Sequence, residues 1–323
     1  MNASKWAGRV ARVGALAGGA ALSMAGVQAN RRIAAIEDST PDAAAPDGQF
    51  VTVDGFRLHY VEAGPKDAPV LLLLHGFGSS TVSWQATMAA LAGEYRLIAL
   101  DLLGFGYSAR STARVHTLRR RATHVFGLLD ALGIGQATLI GNSLGGAVAL
   151  QCAWDAPERV PRLVLADAVA GYDGRGGSPS PLLGEVLSRT PLGNLLLANT
   201  FYDDARFAKG LRAVYHDPSR LQPETLAGYL AARRVRGNAA TLLAITATPP
   251  DSDLPNAIAA IQTPTLILWG RQDRLMPAHY AEQLHRDLPH NRLEWIEDCG
   301  HLPQEECPAE FVAHLRAFLT EGI

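Results

Sequence analysis

The stretch "PVLLLLHG", Pro69 to Gly76, constrains the fold more than any other. Successive side chains of a strand point to opposite faces of its sheet, so an unbroken apolar run has to be buried on both. That requires helices above and below, an arrangement typical of parallel sheets. Five more segments carry the same signature: "YRLIALDLLG" from Tyr95, "ATLIGNS" from Ala137, "RLVLADAVAG" from Arg162, "TPTLILWG" from Thr263 and "RLEWIED" from Arg292. Before them, "FVTVDGFRLHYVEAG" alternates around an Asp-Gly pair and reads as a hairpin. Helix-patterned segments such as "TLRRRATHVFGLLDALGI", Thr117 to Ile134, separate several of the runs. Strand and helix in alternation predict a doubly wound, mostly parallel α/β sheet.

One connection is too long for a loop. Roughly ninety residues separate Ala168 from Pro264, and their leucines and aromatics recur at three- and four-residue steps. This interval, residues 171–260, is expected to form a helical cap inserted after the sixth strand, over the carboxyl ends of the strands where ligands bind. Residues 50–170 and 261–323 then form the core. The cap's aromatics Phe201, Tyr202, Phe207, Tyr215 and Tyr229 suggest an apolar pocket, although many of them must pack the cap itself.

Residues 1–49 differ in character. Lys5, Arg9 and Arg12 precede the apolar "VGALAGGAALSMAG", and "VQA" follows. That is the pattern of an export signal, or of an uncleaved membrane-associated helix, with Arg31 and Arg32 weighing against cleavage. Export or membrane association through residues 1–30 is the expectation, and a cytoplasmic protein the alternative. "EDSTPDAAAPDGQ", Glu37 to Gln49, reads as a flexible linker that should not dock onto the domain. The net charge of −2, with no basic block, gives no reason to expect a nucleic-acid partner. Cys152, Cys299 and Cys307 form neither a disulfide framework nor a metal-binding spacing. Cys152 is expected to pack as a small apolar residue, and a Cys299–Cys307 bridge is an open reading.

The candidate chemistry centres on "LIGNSLGGAVAL", Leu139 to Leu150. A lone G-x-S-x-G is weak evidence, but here it ends an apolar strand and opens a small-residue helix, the context of a nucleophile elbow. A serine needs a base. His59, His116, His124, His285 and His314 lie in strand or helical patterns and read as core or surface residues, whereas His301 follows the last strand on a loop that can reach the strand tops. The base needs an orienting carboxylate. Asp273, in "WGRQDRLMP" past a strand end, is the first candidate, and Asp167, ending "LVLAD", the second.

Five motifs in order give the chain from about Phe50 onward a resemblance to the α/β-hydrolase superfamily, in particular its capped serine esterases and meta-cleavage-product hydrolases. They are "LLHGFG", "DLLGFGYS", "GNSLGG", "WGRQDRLMP" and "CGHLPQEE". The resemblance implies an α/β-hydrolase fold and a triad of Ser143, Asp273 and His301. It also implies an oxyanion hole from the backbone N–H groups of Phe77 and Leu144. Neither metal nor organic cofactor is expected. The implied activity is cleavage of a small, largely apolar carboxylic ester through an acyl-enzyme. A serine at position 143 disfavours the epoxide hydrolases and haloalkane dehalogenases of the superfamily, which use aspartate there. Carbon–carbon hydrolysis of a vinylogous diketone is the alternative, although "HGFGSS" lacks the longer Gly-Pro-Gly element of those enzymes and Leu302 stands where they carry tryptophan. A non-catalytic binding protein on the same fold is the third reading.

Overall fold

The computed structural model describes residues 22–45, 48–171 and 181–320. Its centre is one eight-stranded sheet in the order β1-β2-β4-β3-β5-β6-β7-β8. The Asp-Gly pair turns β1 (Gln49–Val53) back into β2 (Phe56–Ala63), with Asp54 and Gly55 at φ of 53° and 79°. This hairpin joins antiparallel to β4 (Arg96–Leu100). From β4 onward, β3 (Val70–Leu74), β5 (Thr138–Asn142), β6 (Leu163–Ala166), β7 (Thr265–Gly270) and β8 (Asn291–Ile296) all run parallel.

The continuous apolar runs divide as the strand period requires. Leu72, Leu74, Ile98, Leu139, Leu165 and Ile267 point to one face, where α4 (Leu118–Ala131), α5 (Leu144–Asp155) and α12 (His279–Asp287) cover them. Leu71, Leu73, Leu97, Ile140, Val164 and Leu266 point to the other, under α3 (Gln85–Leu91) and α14 (Pro308–Thr320). Thr117 caps α4 by accepting from Arg120 N, so the helix begins where its polar cap residue stands. All three cysteines are free and buried, so the Cys299–Cys307 bridge is absent.

Between β6 and β7 the chain forms α6 (Pro181–Arg189), α7 (Pro191–Asn199), α8 (Asp204–Ala213), α9 (Pro223–Ala232), α10 (Asn238–Ala247) and the short α11 (Leu254–Ala257). Proline at the first helical position starts α6, α7 and α9, where its missing N–H costs nothing.

The N-terminal segment departs from its expected behaviour as a loose linker. Residues 22–36 form a helix, α1, and α2 is the short Pro41–Ala44 turn. Ala29 and Ile33 of α1 are buried with Ala198, Tyr202 and Ala239 of the inserted segment. Glu37 then accepts from the Tyr202 hydroxyl and from the backbone N–H groups of Gly237 and Ala239, at 2.8 and 2.6 Å for the amides. Those amides lie at the start of α10, so an acid from the "linker" caps a helix about two hundred residues away in sequence. Ser39 pairs with Val235 in an isolated parallel bridge, and Asp38 is salt-bridged to Arg234. The apolar run before Leu22, and with it the rest of the signal-like segment, lies outside the described residues. No helix among the described residues is long and apolar enough to cross a membrane.

The docking gives a direct test. Glu37→Ala leaves the Tyr202 hydroxyl and two helix-start amides without their acceptor, at a cost of about 1–3 kcal/mol. A chain beginning at Gly48 should lose this and the α1 contacts together. Thermal unfolding is expected to show Tm several degrees lower for both variants; an unchanged Tm would show that the segment contributes nothing.

Candidate active site

Ser143 stands between the last residue of β5 and the first residue of α5 with φ 52° and ψ −116°. A non-glycine residue is strained there. The turn is tight enough to require glycine on both sides. A Cβ on Gly145 would lie 2.0 Å from the Leu74 carbonyl oxygen, and one on Gly141 would lie 2.3 Å from the Gly145 oxygen. Backbone bonds hold the serine: its N–H donates to Ala166 O at 3.0 Å, and its carbonyl accepts from Gly146, Ala147 and Val169.

The loops after β7 and β8 bring the acid and the histidine together. The Asp273 Oδ1 atom accepts from the amides of Leu275 and Met276 at 2.7 and 2.9 Å. Its Oδ2 lies 2.7 Å from Nδ1 of His301. Both side chains are buried. Asn142, the neighbour of the serine, donates from Nδ2 to the His301 carbonyl at 3.1 Å and to Ala166 O at 3.1 Å, tying the histidine loop to the end of β5. The inserted helices reach the same loop, where His301 N donates to Val214 O at 2.9 Å.

The turn after β3 closes the site from the other side. A Cβ on Gly76 would sit 3.2 Å from the Ser143 Cβ, so the backbone leading into Phe77 lies against the serine. The amide of Leu144 opens α5 and has no intrahelical acceptor. That of Phe77 has no backbone acceptor among the described residues. His75 fixes this turn. Its Nδ1 donates to Gly76 O at 2.7 Å and its Nε2 accepts from Leu102 N at 3.1 Å. Complete burial holds its pKa below the ordinary histidine value, against the pull of the nearby Asp101 carboxylate, and so keeps the neutral tautomer that this pattern needs. Asp101 braces the neighbouring loops, accepting from Thr81 N, Tyr107 N and His59 Nδ1, each at 2.7 Å. Burial alone would raise its carboxyl; the donors outweigh that and lower it. His59 is thus a paired core residue, and His116 and His124 are buried as well.

Asp167, the second candidate acid, is fully buried beside the first. The ligand-type atoms of Asp167, Asp273 and His301 all lie within 4.8 Å of one another, close enough to bind a cation. Hydrogen bonding already accounts for the Asp273–His301 part of that cluster.

Sequence reading missed a second polar network. Glu305, on α13 (Pro303–Glu306), accepts from the Tyr215 and Tyr229 hydroxyls at 2.6 and 2.7 Å and from the Ser83 hydroxyl. Tyr229 in turn accepts from the Ser79 hydroxyl at 2.9 Å. Burial raises the Glu305 carboxyl above its ordinary value, opposed by those hydroxyls. Glu306 accepts from the amides of His216, Asp217 and Gly300. Two inserted tyrosines are therefore fastened to the histidine loop and the turn after β3. "PQEE" alone carries no signal of this, because every donor but Gly300 comes from more than seventy residues away.

Comparison with known proteins agrees with this geometry. The family model described as alpha/beta hydrolase fold matches residues 69–308. The chain belongs to this family. It is 31% identical over 281 residues to the uncharacterized hydrolase YugF of Bacillus subtilis (strain 168), covering 86% of this chain and 99% of that one. It is 31% identical to the 2-hydroxymuconate semialdehyde hydrolase of Pseudomonas sp. (strain CF600), covering 88% of this chain and 98% of the relative. Among solved structures, a membrane phospholipase A described as a bacterial virulence factor superposes with a TM-score of 0.68 at 28% identity, over 98% of both chains. The protein is accordingly an α/β-fold hydrolase.

The elbow can be tested apart from any substrate. Gly145→Ala drives a Cβ into backbone and is expected to destabilise the fold by about 1–3 kcal/mol or more. The denaturation midpoint measures this; a variant as stable as the parent would show that the strand-to-helix turn tolerates a side chain.

Proposed function

We propose that the protein is a serine hydrolase that cleaves carboxylic esters of small, largely apolar substrates through an acyl-enzyme. The observation that carries this is the 2.7 Å contact of His301 with Asp273, on a loop bonded to Asn142, the neighbour of a serine held in a strained turn. In this reading Ser143 Oγ attacks the acyl carbonyl while His301 Nε2 takes its proton. Asp273 holds Nδ1–H, fixes the tautomer and stabilises the imidazolium. The amides of Phe77 and Leu144 receive the oxyanion, with the α5 N-terminus adding positive potential. His301 then hands the proton to the leaving alcohol, and water attacks the acyl-enzyme with His301 again as base.

The surroundings support an apolar acyl group. The Phe77 ring is half exposed and packs edge-on against Phe105 at 5.3 Å. Phe201 comes within 3.7 Å of where a Cβ on Gly78 would be, over the same turn. The inserted helices thus act as a cap that selects substrate, and the side chain that it brings to this wall, Phe201, is apolar. A strained serine is costly to keep in a mere binding protein, which argues against the non-catalytic reading. Likeness to a semialdehyde hydrolase keeps carbon–carbon cleavage as the second reading.

Ser143→Ala decides the central claim. It should abolish fluorophosphonate labelling and lower p-nitrophenyl ester turnover by several orders of magnitude, with stability unchanged or raised. Persistent labelling and turnover, with stability reduced, would make the serine a structural turn residue. A vinylogous diketone turned over faster than any ester in a chain-length series would favour carbon–carbon cleavage.

We further propose that the enzyme works at a membrane surface, attached through residues 1–30. The likeness to a membrane phospholipase A extends over 98% of this chain. Met24 and Val27 of α1 are 64% and 50% exposed, and Leu182, Leu183 and Leu196 of α6 and α7 are 79%, 52% and 51% exposed. The two groups adjoin, because Gly26 packs against Pro191. Full-length protein is expected to sediment with anionic phospholipid vesicles, and to do so less after Leu182→Ser with Leu196→Ser. Protein that stays in the supernatant would refute the attachment.

A further inference from the structure

Asp167 has no part in the reaction just described, yet its geometry is unusual. It follows the last residue of β6 at φ 45°, in the left-handed region, and its side chain is wholly buried. One oxygen, Oδ1, accepts from Gly270 N at 3.1 Å. The other has no donor among the described residues. Against this side chain stand Asp273 from the loop after β7, His301 and Cys299 from the loop after β8, and Glu306 from α13. No lysine or arginine faces the pair among these neighbours.

Two carboxyl groups this close and this deeply buried cannot both carry charge, so they hold one proton between them. Donor geometry decides where it sits. Asp273 receives three N–H bonds, from Leu275, Met276 and the His301 ring. Asp167 receives one. The charge therefore belongs on Asp273 and the proton on the bare oxygen of Asp167. Burial, and next the Asp273 charge, push the Asp167 carboxyl well above its ordinary value, in the same sense.

We propose that Asp167 is a positioning residue of the hydrolase site, a neutral acid whose proton is donated as a hydrogen bond to the Asp273 carboxylate, so that one charge alone faces His301. The proposal rests on the serine-hydrolase reading. It gives Asp273 a fourth donor, which pins the carboxylate and spreads its charge. Without that donor Asp273 binds the imidazolium more tightly, and the base stays protonated to higher pH.

Infrared difference spectroscopy of the full chain reads the proton directly. Wild type minus Asp167→Asn at neutral pH is expected to show the C=O stretch of a protonated carboxyl; its absence overturns the proposal. Kinetics read the consequence. Asp167→Ala should move the acid limb of the kcat/KM profile up by about half a pH unit or more and lower kcat roughly tenfold. Asp167→Asn, which keeps an N–H donor in place, should return the limb to its original position and recover most of the lost kcat. A merely structural role would lower kcat without moving the limb. Superimposable wild-type and Asp167→Ala profiles overturn the proposal. So does an Asp167→Asn enzyme that is dead while Asp273→Asn remains active, because the charge would then reside on Asp167. Should Asp167→Ala fail to fold, the infrared band still decides. Ser143→Ala separates the two levels: fluorophosphonate labelling that survives it sinks the serine-hydrolase reading, while the infrared band reports on the shared proton regardless.

Discussion

The structure turns on a single strained residue. Ser143 occupies φ 52°, and its surroundings are shaped to keep it there. The turn brings the first residues of α5 onto the carbonyl of Leu74 and the backbone of Gly76 onto the serine's own Cβ. Strand β3 and helix α5 can approach this closely only because neither side carries a Cβ at Gly76 or Gly145. Removing the strain would mean moving the end of the central strand away from its neighbours on both sides, β3 and β6.

A second principle positions everything around that serine. The loops after β3, β4, β7 and β8 are held at the strand tops by buried carboxylates that collect backbone amides, in addition to apolar side chains such as Leu102, Leu103 and Phe105. Asp101 gathers Thr81 N and Tyr107 N, Asp273 gathers Leu275 N and Met276 N, and Glu306 gathers His216 N, Asp217 N and Gly300 N. Each is a buried acid that accepts from oriented backbone dipoles, bonds that are strong in a low-dielectric interior and costly to leave half satisfied. The acid of the proposed triad is one instance of a device that recurs through the site.

How much of this was legible in the chain follows from the range of the interactions. Apolar runs and their helices are local patterns, and all eight strands lie where those patterns stand. The elbow, the histidine loop and the two acids were also visible, because each is a short motif at a strand end. The proposed division of charge between those acids was not, since it rests on the number of backbone donors aimed at each one. The segment from Glu37 onward was misread because its composition is that of a linker, yet its acid caps a helix whose amides are distant in sequence. The spacing of Gly26, Ala29, Ile33 and Ile36 held a helical face that the same reading passed over.

The inserted aromatics bear on what the proposed site would recognise. Tyr202, Tyr215 and Tyr229 are buried, and each hydroxyl ends on a carboxylate: Glu37 for the first, Glu305 for the other two. A tyrosine so engaged supplies packing, has its one O–H committed and has no donor left for a ligand. The side chains left facing the proposed oxyanion turn, Phe77 and Phe201, are purely apolar. An apolar wall discriminates weakly between homologues, since one methylene is worth only about 1–3 kcal/mol there. In the proposed ester reading, substrate choice at such a site is graded by acyl length and shape, and the sharp distinction falls on the reacting carbonyl, which the amides of Phe77 and Leu144 would receive.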